Sequence, residues 1–397
     1  MGTKWCQTDR IEMADLAPDR TVLGIWDGHD AGVALVRNGR LQFALSEERL
    51  ERKKRASGFP YRALDACLGY CGLSPDDVDY VAMPGRYGRL LHRAGDQIYR
   101  TTDANRDPLS FSSTVVRQLE IGLAKTPGVR ELEALGSRSI MVSRLRRVGV
   151  IAPIQWVDHH DAHAYCATLG PSKDPMVVTM DGYGDGLAAT FDGPGPGREC
   201  LTSPANSVAL VYGAVTRMLG FGEGDEGKTM GLAAHGDPEK LKDWFRKIIA
   251  FGACDPRLGG RVRRLELQNY CRSDVAAAMQ QRVEEVVLGW IEARRGNRRA
   301  LAVAGGLFAN VALNGRLAER FDDFYVFPHM GDGGLCVGAA VAGHPVKSIG
   351  LPFLGPEYSE SEMRGALKRA GLEIQRPQNP EECLSDAICS GQIAARF

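Results

Sequence analysis

The sequence predicts an α/β fold built twice, with a ligand cleft between its two halves. The first observation behind this is an internal repeat. Val22 to Gly39 (VLGIWDGHDAGVALVRNG) and Met176 to Gly193 (MVVTMDGYGDGLAATFDG) align without gaps. Asp27 then meets Asp181, Gly28 meets Gly182, Gly32 meets Gly186, and Asn38-Gly39 meets Asp192-Gly193. Each copy reads as an apolar strand, an Asp-Gly turn, a second strand and a hairpin turn pair. Glycines at such turns let backbone N–H groups approach an anion closely. The second observation is that further strand and helix patterns follow both copies.

In chain order, Leu41 to Ser46 extends the first hairpin as a third strand. Tyr61 to Gly72 has the apolar spacing of a helix, and Tyr80 to Met83 is a short buried strand. Residues 86–150 are polar and Arg-rich, with helical stretches near Ser112–Ala124 and Ser137–Val148. Arg138, Arg144, Arg146 and Arg147 there read as a solvated helix face. Ile154 to Asp158 is a strand that runs into a helix. Gln280 to Arg295 is a helix, Leu301 to Ala304 a strand ending in Gly305-Gly306, and Phe324 to Phe327 a strand entering a Gly-rich turn. The small residues from Gly338 to Gly343 belong to a last helix.

Bulk composition narrows the class. With 397 residues, 44% hydrophobic and 25% charged, the chain reads as ordinary globular protein. Lys+Arg and Asp+Glu both number 49, so nothing implies a general affinity for nucleic acid or anionic membrane. No apolar run is long enough to span a bilayer. Residues 1–20 lack the apolar core of a signal peptide and read as a loose tail. The ten cysteines are scattered without a C-x-x-C pair, as expected of reduced thiols in a cytoplasmic protein.

Candidate chemistry concentrates in Asp158-His159-His160-Asp161-Ala162-His163, which holds three of the chain's eight histidines. On a helix, His159 and His163 lie four residues apart on one face, close enough to share a cation. Asp181 and Asp332 are candidates to complete a shell of two nitrogens and two oxygens, which suits Fe, Mn or Zn better than Ca. A pair at this spacing also arises on solvated helix faces, so context must decide. Gly305-Gly306 before a helix, with Asn310 and Asn314, reads either as a nucleoside cradle or as a packing device. The loop from Gly222 to Thr229 lacks P-loop spacing; its Glu226 is a candidate for ribose hydroxyls and Lys228 for a phosphate. His29 in the first hairpin turn is the candidate catalytic group, as base or as donor, and Asp27 is a second candidate base.

Taken together, these residues resemble the O-carbamoyltransferases of antibiotic and nodulation-factor biosynthesis. The matching motifs are Gly28-His29-Asp30-Ala31, Ser46-Glu47-Glu48-Arg49, Gly58-Phe59-Pro60, Asp158-His159-His160 with Ala162-His163-Ala164, and Asp181-Gly182 with Gly186. Further along come Glu226-Gly227-Lys228 with Met230-Gly231-Leu232-Ala233, Gly305-Gly306 with Asn310 and Asn314, and Gly331-Asp332 with Gly334. They follow the family's order across residues 21–345. The resemblance implies a duplicated actin-like/ribonuclease H-like fold with two halves around a nucleotide cleft. It implies a metal, Fe(II) or another divalent ion, on His159, His163, Asp181 and Asp332, and nucleotide contacts from Gly28, Gly182, Glu226, Lys228, Gly305, Gly306 and Asn310. It further implies carbamoyl transfer from carbamoyl-adenylate, made from ATP and carbamoyl phosphate, to a hydroxyl of a small-molecule acceptor, with His29 beside the carbamoyl group.

The expected organisation is a tail (1–20), a first half (21–156), a second half (157–350) and the start of a C-terminal domain (351–397). The family's activating domain carries a Gly-Pro-Arg-Ala-Leu-Gly-Asn-Arg-type motif that is not found here. Either the chain is a fragment of a longer protein, or a separate C-terminal activating domain on another polypeptide is its partner. Two other readings stay open: an enzyme like tRNA threonylcarbamoyladenosine synthase, which shares the fold and paired histidines, and a nucleotide-binding module without catalysis.

Overall fold

The computed structural model describes residues 20–85, 129–250, 253–254, 266–342, 344, 346 and 353–394. Residues 1–19 and the helix expected near Ser112–Ala124 lie outside these. The chain divides into two compact units between Leu354 and Gly355.

The first unit holds two five-stranded sheets of the same topology. In the first, β1 (Val22–Trp26), β2 (Gly32–Arg37), β3 (Arg40–Ser46), β4 (Tyr80–Pro84) and β5 (Ile154–Val157) stand in the order β3-β2-β1-β4-β5. β1 pairs antiparallel with β2 and parallel with β4, and β4 pairs parallel with β5. In the second sheet, β6 (Met176–Gly184), β7 (Leu187–Phe191) and β8 (Glu199–Leu201) form the meander. A small ribbon of β9 (Ile249–Ala250) and β10 (Ala253–Cys254) stands apart, and β11 (Ala300–Ala304) and β12 (Asp323–Val326) complete the second sheet parallel to β6. Its order, β12-β11-β6-β7-β8, is the first sheet's order again. This is the duplicated ribonuclease H-like arrangement of the actin-like fold.

The two copies differ at their first turn. β1 ends at Trp26, one residue before Asp27, but β6 runs on through Asp181 to Gly184 with an irregular register after Met180. The second turn therefore closes at Asp185 and Gly186, both left-handed with φ of 48° and 89°. The turn pairs Asn38-Gly39 and Asp192-Gly193 are alike, all four residues having positive φ. At Asn38-Gly39 this is the backbone a two-residue turn needs to match strand twist, with Arg37 paired to Arg40, whereas Asp192-Gly193 only opens a longer connection, 192–198, so the expected turn pair does not close the second hairpin by itself.

Helices α1 (Glu48–Glu51), α2 (Tyr61–Cys71) and α3 (Val129–Arg147) belong to the first half; α2 stops where Gly72 turns left-handed. Within α3, Arg146 and Arg147 are exposed as expected, but Arg144 is buried and Arg138 lies 5.6 Å over the Trp156 ring. α4 (His159–Ala167) follows β5. In the second half come α5 (Val208–Met218), α6 (Glu226–Ala233), α7 (Lys242–Ile248), α8 (Arg272–Arg295), α9 (Val311–Ala318) and α10 (Leu335–Val341). α5 is an apolar run rich in β-branched residues, which periodicity does not separate from a buried strand. α8 starts eight residues before the expected Gln280, because the weakly patterned stretch Val275 to Met279 is wholly buried.

α4 and α10 are equivalent helices, each following its sheet's last strand, so by topology α4 completes the first half although it lies past the expected boundary at residue 156. They pack against each other, and all seven residues of α10 are buried. Small residues make this contact possible. A Cβ on Gly338 would lie 1.9 Å from the Ala162 carbonyl oxygen, and one on Gly24 2.0 Å from that of Cys336. The tight α4–α10 contact brings the two helix starts, and the ends of β1 and β6, to one place.

The second unit contains α11 (Glu360–Arg369), opened by a Ser359–Glu362 capping box, and α12 (Pro380–Cys389), capped by Asn379. Neither helix buries a residue.

Candidate functional site

Asp158 starts α4. Its backbone is extended and its carboxylate accepts the N–H groups of His160 at 3.0 Å and Asp161 at 3.2 Å. The helix thus begins at His159, and His159 and His163 fall on one face with ring centroids 4.9 Å apart. His160 points elsewhere. Its Nε2 is 3.1 Å from the Leu187 carbonyl, which only accepts, so Nε2 carries the proton. Its Nδ1, at 2.7 Å, accepts from the Thr179 hydroxyl, which is 2.6 Å from that of Thr190. Burial, helped by the neighbouring His159 and His163, pushes His160 well below the ordinary imidazole range. Of the three histidines, His160 is a neutral packing residue.

The other two meet Asp181 from β6 and Asp332 from the turn that opens α10. The candidate ligand atoms of the four residues all lie within 4.8 Å of one another. His159 Nε2 is 3.5 Å from Asp181 Oδ2 and 3.6 Å from Asp332 Oδ1, and His163 Nε2 is 3.5 Å from the same Asp332 oxygen. These separations are too long for good hydrogen bonds. Both Nε2 atoms are buried without a hydrogen-bond partner. Ligand bonds of about 2.1 Å place neighbouring donors roughly 3 to 3.5 Å apart around one cation. Two orphaned imidazoles converging with two carboxylates at this spacing fit a divalent metal of the Fe, Mn or Zn type.

Electrostatics agree. Burial by itself lowers His159, but the Asp332 and Asp181 carboxylates outweigh it and raise the group to about 10. Burial would likewise raise Asp181, yet the facing His159 imidazole and the charges of His163 and His159 hold it far below the usual carboxylate range. The carboxylates thus retain positive charge inside the site.

Neighbouring groups aim these ligands. The N–H of Gly306 donates to Asp181 Oδ1 at 2.9 Å, which leaves Oδ2 for His159. A Cβ on Gly306 would come 2.7 Å from Asp181 Oδ1, and Gly305 has φ of 107° with its Cβ position 2.2 Å from the Met180 carbonyl. The glycine pair read as a nucleoside cradle therefore also fits Asp181 into place. Gly184, four residues after its neighbour Met180, leaves room for His159: a Cβ there would lie 2.2 Å from the ring.

His29 reaches the cluster from the first half. Its Nε2 is 3.1 Å from Asp332 Oδ2 and its Nδ1 2.9 Å from Asp30 Oδ2. The Asp332 charge, with help from Asp30 and against burial, raises His29 to about 9. Carboxylates on both ring nitrogens make it a donor rather than a base. Its carbonyl accepts from Trp26 Nε1 at 2.7 Å, and the Trp26 ring stands edge-on to His159 at 5.9 Å. Gly28 is packed against that Trp26 ring.

The remaining candidates are placed differently. Asp27 is buried, its carbonyl accepting from the Gly58 N–H. A Cβ on Gly182 would meet Leu210 at an ordinary 3.6 Å, so no close approach requires a glycine there. Asn310 is committed to structure: its Oδ1 caps α9 at Leu313 N–H, and its amide pairs reciprocally with Gln280. Glu226 is half-buried beside Gly213. Lys228 is exposed and paired with Asp225 at 2.8 Å. In Ser46-Glu47-Glu48-Arg49, Glu47 turned out to cap α2, accepting the N–H groups of Arg62 at 3.1 Å and Ala63 at 2.7 Å. Sequence reasoning also missed Asp185 and Arg198, which grip the start of α4; only their position after Gly-rich turns hinted at them.

The family described as carbamoyltransferase N-terminus matches residues 21–253 and 260–341. The uncharacterized protein MJ1051 of Methanocaldococcus jannaschii is 25% identical over 401 residues, covering 94% of this chain and 68% of that protein. The nodulation protein NolNO of Sinorhizobium fredii is 28% identical over 335 residues, covering 79% of this chain and 46% of its own length. The tRNA N6-adenosine threonylcarbamoyltransferase of Rhodospirillum rubrum is 24% identical over 278 residues, covering 60% of this chain and 75% of that enzyme. The chain thus spans between about half and two thirds of the first two relatives. A family match over both halves, including every residue of the four-donor cluster and His29, places this chain in the carbamoyltransferase family.

Proposed function

We propose that this chain carries the transfer site of an O-carbamoyltransferase. The donor is carbamoyl-adenylate, made from ATP and carbamoyl phosphate, and the acceptor is a hydroxyl of a natural product or saccharide. The acceptor oxygen attacks the carbamoyl carbon, a new C–O ester bond forms, the bond from that carbon to the AMP phosphate oxygen breaks, and AMP leaves with its electron pair. The observation that carries this reading is the cluster of two orphaned imidazoles and two carboxylates drawn from both halves, in a member of this family.

His159, His163, Asp181 and Asp332 would hold a divalent cation, with iron(II) the family expectation. When bound, such a cation supplies Lewis-acid charge for the phosphate of the leaving AMP. The chain's own residues do the rest. Asp332 and Asp30 hold the two ring nitrogens of His29, so the imidazolium sets its positive charge beside the carbamoyl oxygen, where negative charge develops. Gly305 and Gly306 keep the backbone open beside Asp181 for the nucleoside, and Glu226 and Lys228 are the proposed ribose and phosphate contacts. The acceptor's proton passes to solvent.

Calorimetric binding of ATP and AMP, with and without iron(II) or manganese, tests this on wild type and His159→Ala. Binding that requires both the metal and His159 is the expected result; binding indifferent to both would sink it. The tRNA-modifying relative supports a second reading, which a gel shift with tRNA separates. The balanced charge favours the small-molecule acceptor. Carbamoyl transfer restored by a separately supplied activating domain would exclude a non-catalytic module.

A further inference from the structure

Beyond its four candidate ligands, the cluster is held from behind by an ion-pair clamp. Arg198 stands just before β8 with its side chain only 6% exposed. Its guanidinium spans the first turn of α4, with Nη2 3.0 Å from Asp158 Oδ1 and Nη1 paired with Asp161 Oδ1. The same Asp158 oxygen caps the helix, and Asp161 Oδ1 also accepts the Gly195 N–H at 2.9 Å. From the β6–β7 turn, Asp185 Oδ2 accepts the backbone N–H of His159 at 2.9 Å.

We infer that Arg198 and Asp185 are positioning residues that set the aim of His159 and His163 toward the metal. The argument is geometric. Asp181 and Asp185 lie on one hairpin and hold His159 at both ends: Asp185 at its backbone nitrogen, Asp181 facing its ring. Arg198, from the same meander, grips the flanking turn residues Asp158 and Asp161. The second half thereby fixes the rotation and height of a helix that belongs to the first half. A buried two-pronged guanidinium can hold two carboxylates in a set geometry, which a lysine cannot reproduce. Removing such outer contacts typically weakens metal binding by roughly 10- to 100-fold while leaving the ligands in place.

This inference rests on the metal reading, and the test separates the two. Cobalt(II) is titrated into the full chain and followed by its visible absorption bands, for wild type, His159→Ala, Arg198→Lys and Asp185→Asn. Circular dichroism of the metal-free proteins serves as the check on folding. Cobalt binding lost in His159→Ala, and at least about 10-fold weaker with shifted bands in Arg198→Lys or Asp185→Asn, is expected. Wild-type affinity and bands in both clamp variants would overturn the clamp and spare the metal site. A wild type that binds no cobalt would overturn both. Should one clamp variant fail to fold, the other still decides.

Discussion

Asp332 faces two ways. Its Oδ2 sits 3.1 Å from Nε2 of His29, while its Oδ1 stands 3.5 and 3.6 Å from the orphaned Nε2 atoms of His163 and His159. One carboxylate therefore joins the candidate metal ligands to the candidate catalytic imidazole, and a change at one is felt at the other.

Replacing Asp332 by Asn should release His29. The Asp332 charge is the leading reason that His29 is raised to about 9, so its pKa should fall toward the ordinary value near 6.5. Imidazole NMR titration of the metal-free protein reads this directly. The same substitution should weaken divalent metal binding by at least about 10-fold. A His29 still titrating near 9 in Asp332→Asn would contradict the coupling.

Metal uptake should release protons. Metal-free His159 is protonated up to about pH 10, whereas a ligand imidazole must be neutral. Affinity should rise with pH up to about 10, and calorimetry at pH 7 in two buffers of different ionisation enthalpy should give different apparent heats. Equal heats would count against it. The linkage has a defined sign without metal. The raised His159 stabilises the fold fully below its unfolded value and loses that contribution as pH climbs through about 10.

Gly184→Ala should harm the site without touching a ligand. The new Cβ would lie 2.2 Å from the His159 ring, so the ring or the hairpin must move. Overpacking of this kind costs about 1–3 kcal/mol. Denaturant unfolding would show it, and metal titration should show weaker binding as well. An unchanged midpoint and affinity would mean the turn yields freely.

His160 and His159 should part company. His160→Gln breaks the chain through Thr179 and Thr190 and should lower stability by roughly 1–3 kcal/mol, yet keep metal affinity. His159→Ala should abolish that affinity. Similar metal loss in both variants would show that the two imidazoles are not divided as described.

Glu47→Ala should destabilise the first half through α2, whose N-cap Pro60 offers no side-chain bond. Loss of a helix cap costs about 0.5–2 kcal/mol, and Glu47→Gln, which keeps one acceptor, should lose less. Chemical denaturation of both variants checks the order.

Much of the fold was legible because it follows local rules. The strand runs, the left-handed turn at Asn38-Gly39 and the stop of α2 at Gly72 are written in a few neighbouring residues. The pair His159 and His163 was legible too, since helical spacing alone puts them on one face. The start of α8 and the identity of α5 were less so, because alanine-rich and uniformly apolar runs carry little periodicity.

By itself the sequence determined the repeated hairpins, the helix that carries the histidines and the short list of residues able to bind a cation. Tertiary structure alone decided which groups turn inward. It set His160 against Thr179, brought Gly306 to Asp181 across 125 residues, and placed Arg198 over the start of α4. The physical reason is that backbone conformation answers to near neighbours in the chain, while a side chain's partners, burial and charge state are set by whatever folding packs against it.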